Sequence, residues 1–470
     1  MLPALDILRT ALGIVIDDKE RQGHVVTGLR EELAGMPDGY DAMAEFARRV
    51  ADLPLREDWP YIEPSDLEGI WAECDPSRPL GPIAEVDLED ASRRAEAAFL
   101  ASVCGCILGK PFEINPTLDE LREALEPTGE WPLRDYPSEQ AVRSLRMCHP
   151  QWIECVRERI RYVAPDDDIN YRIIAMLLLE EFGTSFTSQH VRETWLWQLP
   201  VRVTFGPERT LLAKSAMASI WEGSSPDLDE WVRVLNPMDE FCGAMIRVDP
   251  YGYACPGNPA LAAELAWRDS SFTHRRTGIY GSMFAAAAIA TAMVERDRLA
   301  IFDTALKFVP RKSRFHEIVA DCLAEVRKAS DWQDGYWRIH LKYGGHDHCR
   351  IYQETGTLIN TMRFAEDAGH GICIQVSQGN DTDCYGATAG SLLGAFFGPG
   401  SLEPRWLEPF NDEMHVALAL FFERSLSRVA KRMGALPKRI AAGITGGVDL
   451  YSPTAMSSTL SSSGNPAESE

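Results

Sequence analysis

The stretch APDDDINYRIIAMLLLEEFG, residues 164–183, sets three aspartates, Asp166, Asp167 and Asp168, at the mouth of a run with almost no polar face. A run of that length without a side to show to water predicts a helix inside a core. Aspartates suit an N-cap and a first helical turn, where they meet free backbone N–H groups and the positive end of the helix dipole. Capping alone is therefore one reading of the cluster. Against it, the next Lys or Arg along the chain is Arg172, followed by IIAMLLL. A buried helix with so acidic a start calls for a metal.

A second stretch, QGNDTDCYGATAGSLLGAFFG, residues 378–398, has the same form, with Asp381 and Asp383 in a D-x-D element before a small-residue helix. In an extended loop alternate side chains point to the same side, which aims both carboxylates one way. Crowded carboxylates resist burial unless divalent cations, helix N-termini or water offset their repulsion. Divalent cations would satisfy both clusters at once, as a metal site divided between distant parts of the chain. Oxygen ligands favour Mg²⁺, Mn²⁺ or Ca²⁺ over zinc. A solvated or calcium-like turn is the alternative for the second cluster. His346 and His348, in GGHDHC, form a short pair that a polar loop suffices to explain.

Outside these stretches the pattern stays helical and alternating β patterns are almost absent, so the fold class is all-α. Helices are expected over 93–110, 139–163, 208–223, 258–269, 278–294, 315–329 and 411–434. Small residues recur every four positions at Ala101, Gly105 and Gly109, and again at Gly386, Gly390, Gly394 and Gly398, giving flat faces for close helix packing. Pro111 ends the first of these helices near Lys110, whose neighbour Glu113 suggests a surface ion pair. Residues 1–90 read as an accessory helical region and 91–450 as the main all-α domain. The Ser-rich end, 451–470, reads as a disordered tail.

With 45% hydrophobic residues in 470, the chain can bury a large core. Its formal charge of −23 argues against nucleic acid or an anionic membrane as partner. The eleven cysteines are scattered, without a paired C-x-x-C array, which points to a reducing cytoplasm. The N-terminus lacks a basic segment and carries Asp6, so export is not expected. Gly278 to Val294 is too short and Ala-rich for a membrane span and reads as a core helix.

Five motifs between Asp90 and Gly434 stand in an order that resembles the ADP-ribosylglycohydrolases, which include the dinitrogenase reductase-activating glycohydrolases. GCILGKPFE, 105–113, resembles the Gly-rich helix that leads to a Pro-Phe-Glu type loop, and Asp166-Asp167-Asp168 lies over a Thr-Asp-Asp metal motif. CGAMIRVDP, 242–250, is similar to the segment that wraps a diphosphate. Thr273-His274 matches a Thr-His motif, and Gly379 to Gly390 the closing G-x-D-T-D with its small-residue helix.

The resemblance implies a multi-helix bundle with a dinuclear metal cleft, in which two Mg²⁺ or Mn²⁺ ions grip the ribose hydroxyls of an ADP-ribosyl group. Asp167 and Asp168 match the two aspartates of the first metal motif, and Asp381 and Asp383 those of the last. Asp166 and Cys384 stand where the family has Thr or Ser ligands and complete the expected metal set. An extra carboxylate would better neutralise two dications, whereas a thiol is a poor ligand for Mg²⁺ and shifts preference towards Mn²⁺ or does not coordinate. Glu113 matches a glutamate that sits over the metals in some members, and with Asp383 and Asp168 forms the expected catalytic group. Gly243, Ala244 and Arg247 would meet the diphosphate, with His274 and Gly379 beside them. The activity so implied is cleavage of the ribosyl bond of an ADP-ribosylated protein or small-molecule acceptor by metal-activated water. An N-glycosidase acting on a nucleoside or nucleotide, or a catalytically silent ADP-ribose-binding protein, is the alternative.

Overall fold

Two small-residue ladders decide how the central helices stack. The computed structural model describes residues 4–218, 227–346, 348–447 and 450. Its Leu88–Gly109 helix starts at Asp87, whose carboxylate accepts hydrogen bonds from the Glu89 and Asp90 amides, a cap worth about 1 kcal/mol. Against it lies the antiparallel Thr382–Phe397 helix, with Gly109 facing Thr382, Gly105 facing Gly386, Ala101 facing Gly390 and Ala98 facing Gly394. A methyl group added to Gly105 or Gly390 would overlap the backbone opposite, so only glycine allows this approach. The Thr382 hydroxyl donates to the Gly109 carbonyl at 2.8 Å and ties the ends together. The two ladders read in the sequence are thus the two halves of one contact.

Around this pair pack the Leu426–Ala441 and Ala368–Ser377 helices, and the Thr277–Ala292 helix is buried at every residue. The segment Leu88–Phe112 is long and apolar enough to cross a membrane, but 83% of its apolar window is buried inside the protein. Among the described residues there is no strand, only three isolated bridges.

Two expected helices are corrected. Of 139–163, only Glu139–Arg143 and a 3₁₀ turn at Trp152–Cys155 are helical, and Pro150, which has no N–H to donate, bars one continuous helix across the stretch. Of 411–434, the helix begins at Leu426, capped by Ser425. The preceding apolar run turns its amides elsewhere: Ala417 N–H to Asn170 Oδ1 at 2.9 Å and Ala419 N–H to the Gln198 carbonyl at 2.8 Å.

The N-terminal helices Leu5–Arg21, Leu29–Gly35 and Tyr40–Ala51 enclose a small core of their own, including Leu12, Ile16, Met43, Phe46 and Val50. Ile70 and Cys74 already belong to the main core. Buried polar contacts join the two cores. The Asp18 carboxylate accepts from the Met238 amide at 2.7 Å and from Arg350 at 3.1 Å, and Gln22 donates to Asp239 at 2.7 Å. The Ser-rich tail, 451–470, lies outside the described residues.

Candidate active site

Asp166 is the N-cap of the Asp167–Phe182 helix, and its Oδ1 accepts from the Asp168 amide at 2.9 Å. Its other oxygen is taken as well. The Lys110 ammonium, carried on the 3₁₀ turn that ends the Leu88–Gly109 helix, lies 2.5 Å from Asp166 Oδ2. The same Nζ is 3.6 Å from Glu113 Oε2 and 3.6 Å from Asp383 Oδ2. Lys110 is 5% exposed, so the expected surface pair with Glu113 is instead a buried cation set among the acids. Burial works to strip its proton, but the charges of Asp166, Asp383, Glu113 and Asp167 outweigh that and hold it charged. Asp166 is likewise pushed up by burial and, on balance, pulled below the usual carboxylate range by Lys110.

A second buried cation serves Asp168. Arg172, 0% exposed, donates to Asp168 Oδ1 at 3.1 Å and pairs with Asp249, which also accepts from Ser391 at 2.8 Å. The sequence placed Arg172 one turn from the acids, and the structure brings it back onto them.

The two acidic motifs converge. Ligand atoms of Asp168, Asp383 and Cys384 lie within 4.8 Å of one another, as do those of Glu113, Asp381 and Asp383. Asp383 belongs to both groups, as a carboxylate shared between two ions would. Four oxygens in this cluster are buried and have no hydrogen-bond partner: Glu113 Oε2, Asp168 Oδ2, Asp381 Oδ1 and Asp383 Oδ2. Orphaned buried oxygens are costly, about 1–3 kcal/mol each and more when charged. A divalent cation is the group these donors fit. Asp167 stands apart, half-buried and in neither group.

Their protonation reflects burial among like charges, which Lys110 and Arg172 offset only in part. Burial and then the Asp383 charge push the Glu113 carboxyl up to about 11, although its side chain is 34% exposed. Burial raises Asp168 well above the usual range, with Arg172 opposing and its acidic neighbours adding. Asp381 is raised by burial and by the Cys242 and Asp383 charges, and Asp167 by burial and the Asp166 charge.

Thiols surround Asp381. Cys242 Sγ lies 3.3 Å and Cys349 Sγ 3.4 Å from Asp381 Oδ2, and Cys384 falls within 4.8 Å of Cys242 and Asp381. Of these only Cys384 was legible as a site residue. His149 was missed too, and its Nε2 is 3.5 Å from Glu113 Oε2. Cys242 opens the quoted CGAMIRVDP segment and Cys349 closes GGHDHC, but nothing local in either marks the thiol as a site group, and no pattern marks His149. Lys110 had one signal, its place within the GKPFE loop.

The expected diphosphate segment is built differently. All five guanidinium N–H groups of Arg247 are used inside the protein: Asp269 Oδ1, Glu208, the Gly243 and Asp269 carbonyls and Thr273 Oγ1 accept them. With no donor left and a side chain 1% exposed, Arg247 has nothing to offer a phosphate. His274 joins this buried network, its Nδ1 2.7 Å from Thr273 Oγ1, and burial holds the ring neutral. Ala244 is buried beside them, and a side chain at Gly243 would run into the Glu208 carboxylate. Gly379 has φ +78, and a Cβ there would overlap the Pro116 carbonyl, so it shapes the turn that presents Asp381. Beyond Glu113 a cavity of about 640 Å³ opens, lined by Ile114, Asn115, Pro116, Glu123, Leu145 and Met147. Another, of about 520 Å³, lies between Trp59 and Tyr61 of the N-terminal region and Arg314 and Tyr352 of the main body. None of the cluster's carboxylates lines either one.

A family model described as ADP-ribosylglycohydrolase matches residues 87–438. Among solved structures, a chain described as an ADP-ribosylglycohydrolase-related protein complex is similar with a TM-score of 0.50 and 17% identity, over 75% of this chain and 99% of that one. At that identity it speaks for the fold alone. No curated relative matches the chain. The family match spans three quarters of the sequence and both acidic motifs, and the chain therefore belongs to the ADP-ribosylglycohydrolase family, whose members are hydrolases acting on glycosidic bonds.

Proposed function

We propose that this protein is a metal-dependent glycohydrolase that cleaves the ribosyl bond of an ADP-ribosylated protein or small-molecule acceptor. The observation that carries the reading is the set of four buried carboxylate oxygens without a hydrogen-bond partner on Glu113, Asp168, Asp381 and Asp383, two of which, on Glu113 and Asp383, face the single Lys110 ammonium at 3.6 Å. Asp168, Asp381 and Asp383 would hold two divalent ions, Mg²⁺ or Mn²⁺, with Asp383 shared. When bound, such ions grip vicinal ribose hydroxyls and lower the pKa of a water. Lys110 neutralises Asp166 and steadies the loop that carries Glu113. Glu113 stands at the open edge with His149 beside it, where a proton passes between the carboxyl and the water or the leaving group. Bond cleavage at the anomeric carbon develops positive charge on the sugar, which the surrounding carboxylates favour. Eleven free thiols support a reducing compartment, the cytoplasm.

The test incubates the full chain with N- and O-linked ADP-ribosyl conjugates and with nucleosides, in Mn²⁺, in Mg²⁺ and in chelator. Free ADP-ribose should appear with metal and vanish with chelator and in Asp383→Asn. Release of free base alone would make the protein a nucleosidase. ADP-ribose binding by calorimetry without turnover of any substrate would make it a silent binder.

A further inference from the structure

Asp381 belongs to two neighbourhoods of unlike chemistry. On one side it meets Glu113 and Asp383, oxygen donors only. On the other its Oδ2 meets two thiols at 3.3 and 3.4 Å, with a third thiol within 4.8 Å of Cys242. The three cysteines come from separate parts of the chain: Cys242 opens the 3₁₀ turn Cys242–Arg247, Cys349 precedes the Tyr352–Phe364 helix, and Cys384 lies in the first turn of Thr382–Phe397. The backbone makes an effort to bring Cys349 there. Cys349 and Ile351 have φ of +62 and +61, a region costly for residues with a Cβ, most of all a β-branched one. The Cys349 amide is held by the buried Glu354 carboxylate at 2.9 Å. Asp381 is 2% exposed, and its Oδ1 has no partner.

A buried thiol packs as a small hydrophobe and donates only weakly, so packing alone gives no reason for two of them to meet one carboxylate oxygen with a third within 4.8 Å. Three sulfurs and one carboxylate are instead a donor set for a tetrahedral, borderline-soft ion. We propose that Cys242, Cys349, Cys384 and Asp381 form a thiolate-rich site for a divalent ion of the zinc type, chemically unlike the oxygen-lined position beside Glu113 and Asp383. Each coordinating thiol would release its proton to solvent as the ion binds. The proposal rests on the reading of Asp381 as a metal-facing carboxylate and adds which ion that face selects.

The test titrates the reduced, chelator-treated full chain with Co²⁺, a spectroscopic substitute for Zn²⁺. A thiolate-to-cobalt charge-transfer band should grow in the near ultraviolet and be abolished by Zn²⁺. In Cys349→Ser and Cys384→Ser the band should weaken, and Zn²⁺ affinity should fall by at least the roughly 10–100-fold that even an outer-sphere partner costs. Thermal melts confirm that the serine variants are folded, and Cys349, on a loop, is the less disruptive of the two. Co²⁺ binding without the band, or a band unchanged in both variants, overturns the thiolate site and leaves the oxygen-lined site of the proposed function intact. Absence of any divalent-ion binding overturns both.

Discussion

Replacing Lys110 by Met keeps most of the apolar stem of the side chain and removes the ammonium, with its charge and its hydrogen bond to Asp166. At an effective dielectric of about 20, each 3.6 Å contact to Glu113 and Asp383 carries on the order of 4–5 kcal/mol of gross attraction. The closer hydrogen bond to Asp166 adds to it, while the cost of burying the ammonium takes much of it back. The measured consequence of breaking such a buried pair is about 3–5 kcal/mol, because the partner is left charged and alone. At about 2.1 cal/mol/K per residue, a body of roughly 350 residues should melt roughly 4–7 °C lower in Lys110→Met. The assay is scanning calorimetry on metal-free protein from acid to neutral pH. Asp166 in the native protein is held below its ordinary value of 3.8. Its stabilisation is therefore present above that value and lost as pH falls through the lower folded one. Without Lys110, burial is opposed only by the weaker hydrogen bonds from the Asp168 amide and Cys106 and lifts the carboxyl, so folding then loses stability as pH rises. The gap between the two proteins should widen from acid to neutral pH, and saturating Mn²⁺ should narrow it by restoring positive charge. A metal-free Lys110→Met that melts within about 1 °C of the native protein at neutral pH would refute the buried-cation argument.

Gly105→Ala tests the ladder. The added methyl overlaps the Gly386 backbone, so the helix pair must separate, at a cost of about 1–3 kcal/mol or more; hydrolysis should fall with stability, since Asp383 rides on the displaced helix, and a fully active variant of native melting temperature would contradict the packing. Glu113, pushed up to about 11 by burial and the Asp383 charge, contributes stability to the metal-free protein that is complete below its unfolded value of 4.5 and is lost as pH rises towards 11. Divalent-ion affinity should accordingly rise with pH and proton release should accompany binding; calorimetry in buffers of different ionisation enthalpy reads that release, which should shrink in Glu113→Gln.

Much of this protein was written in short patterns. Apolar runs without a polar face announced core helices, four-residue spacing of small residues announced close packing, and the two acidic stretches announced candidate ligands, because each depends only on residues adjacent in the chain. Where the pattern was weaker, the chain had other partners: the run before Ser425 gives its amides to Asn170 and Gln198, which no local reading of 411–434 could supply. Tertiary structure alone decided that the two ladders face each other, that Lys110 is a buried counter-charge, that Arg247 is spent within the core, and that Cys242 and Cys349 close on Asp381. Charge state, burial and metal preference are properties of what surrounds a side chain, and at this site the surroundings are assembled from segments more than two hundred residues apart. A sequence lists the groups; only folding sets the distances and the dielectric on which their chemistry depends.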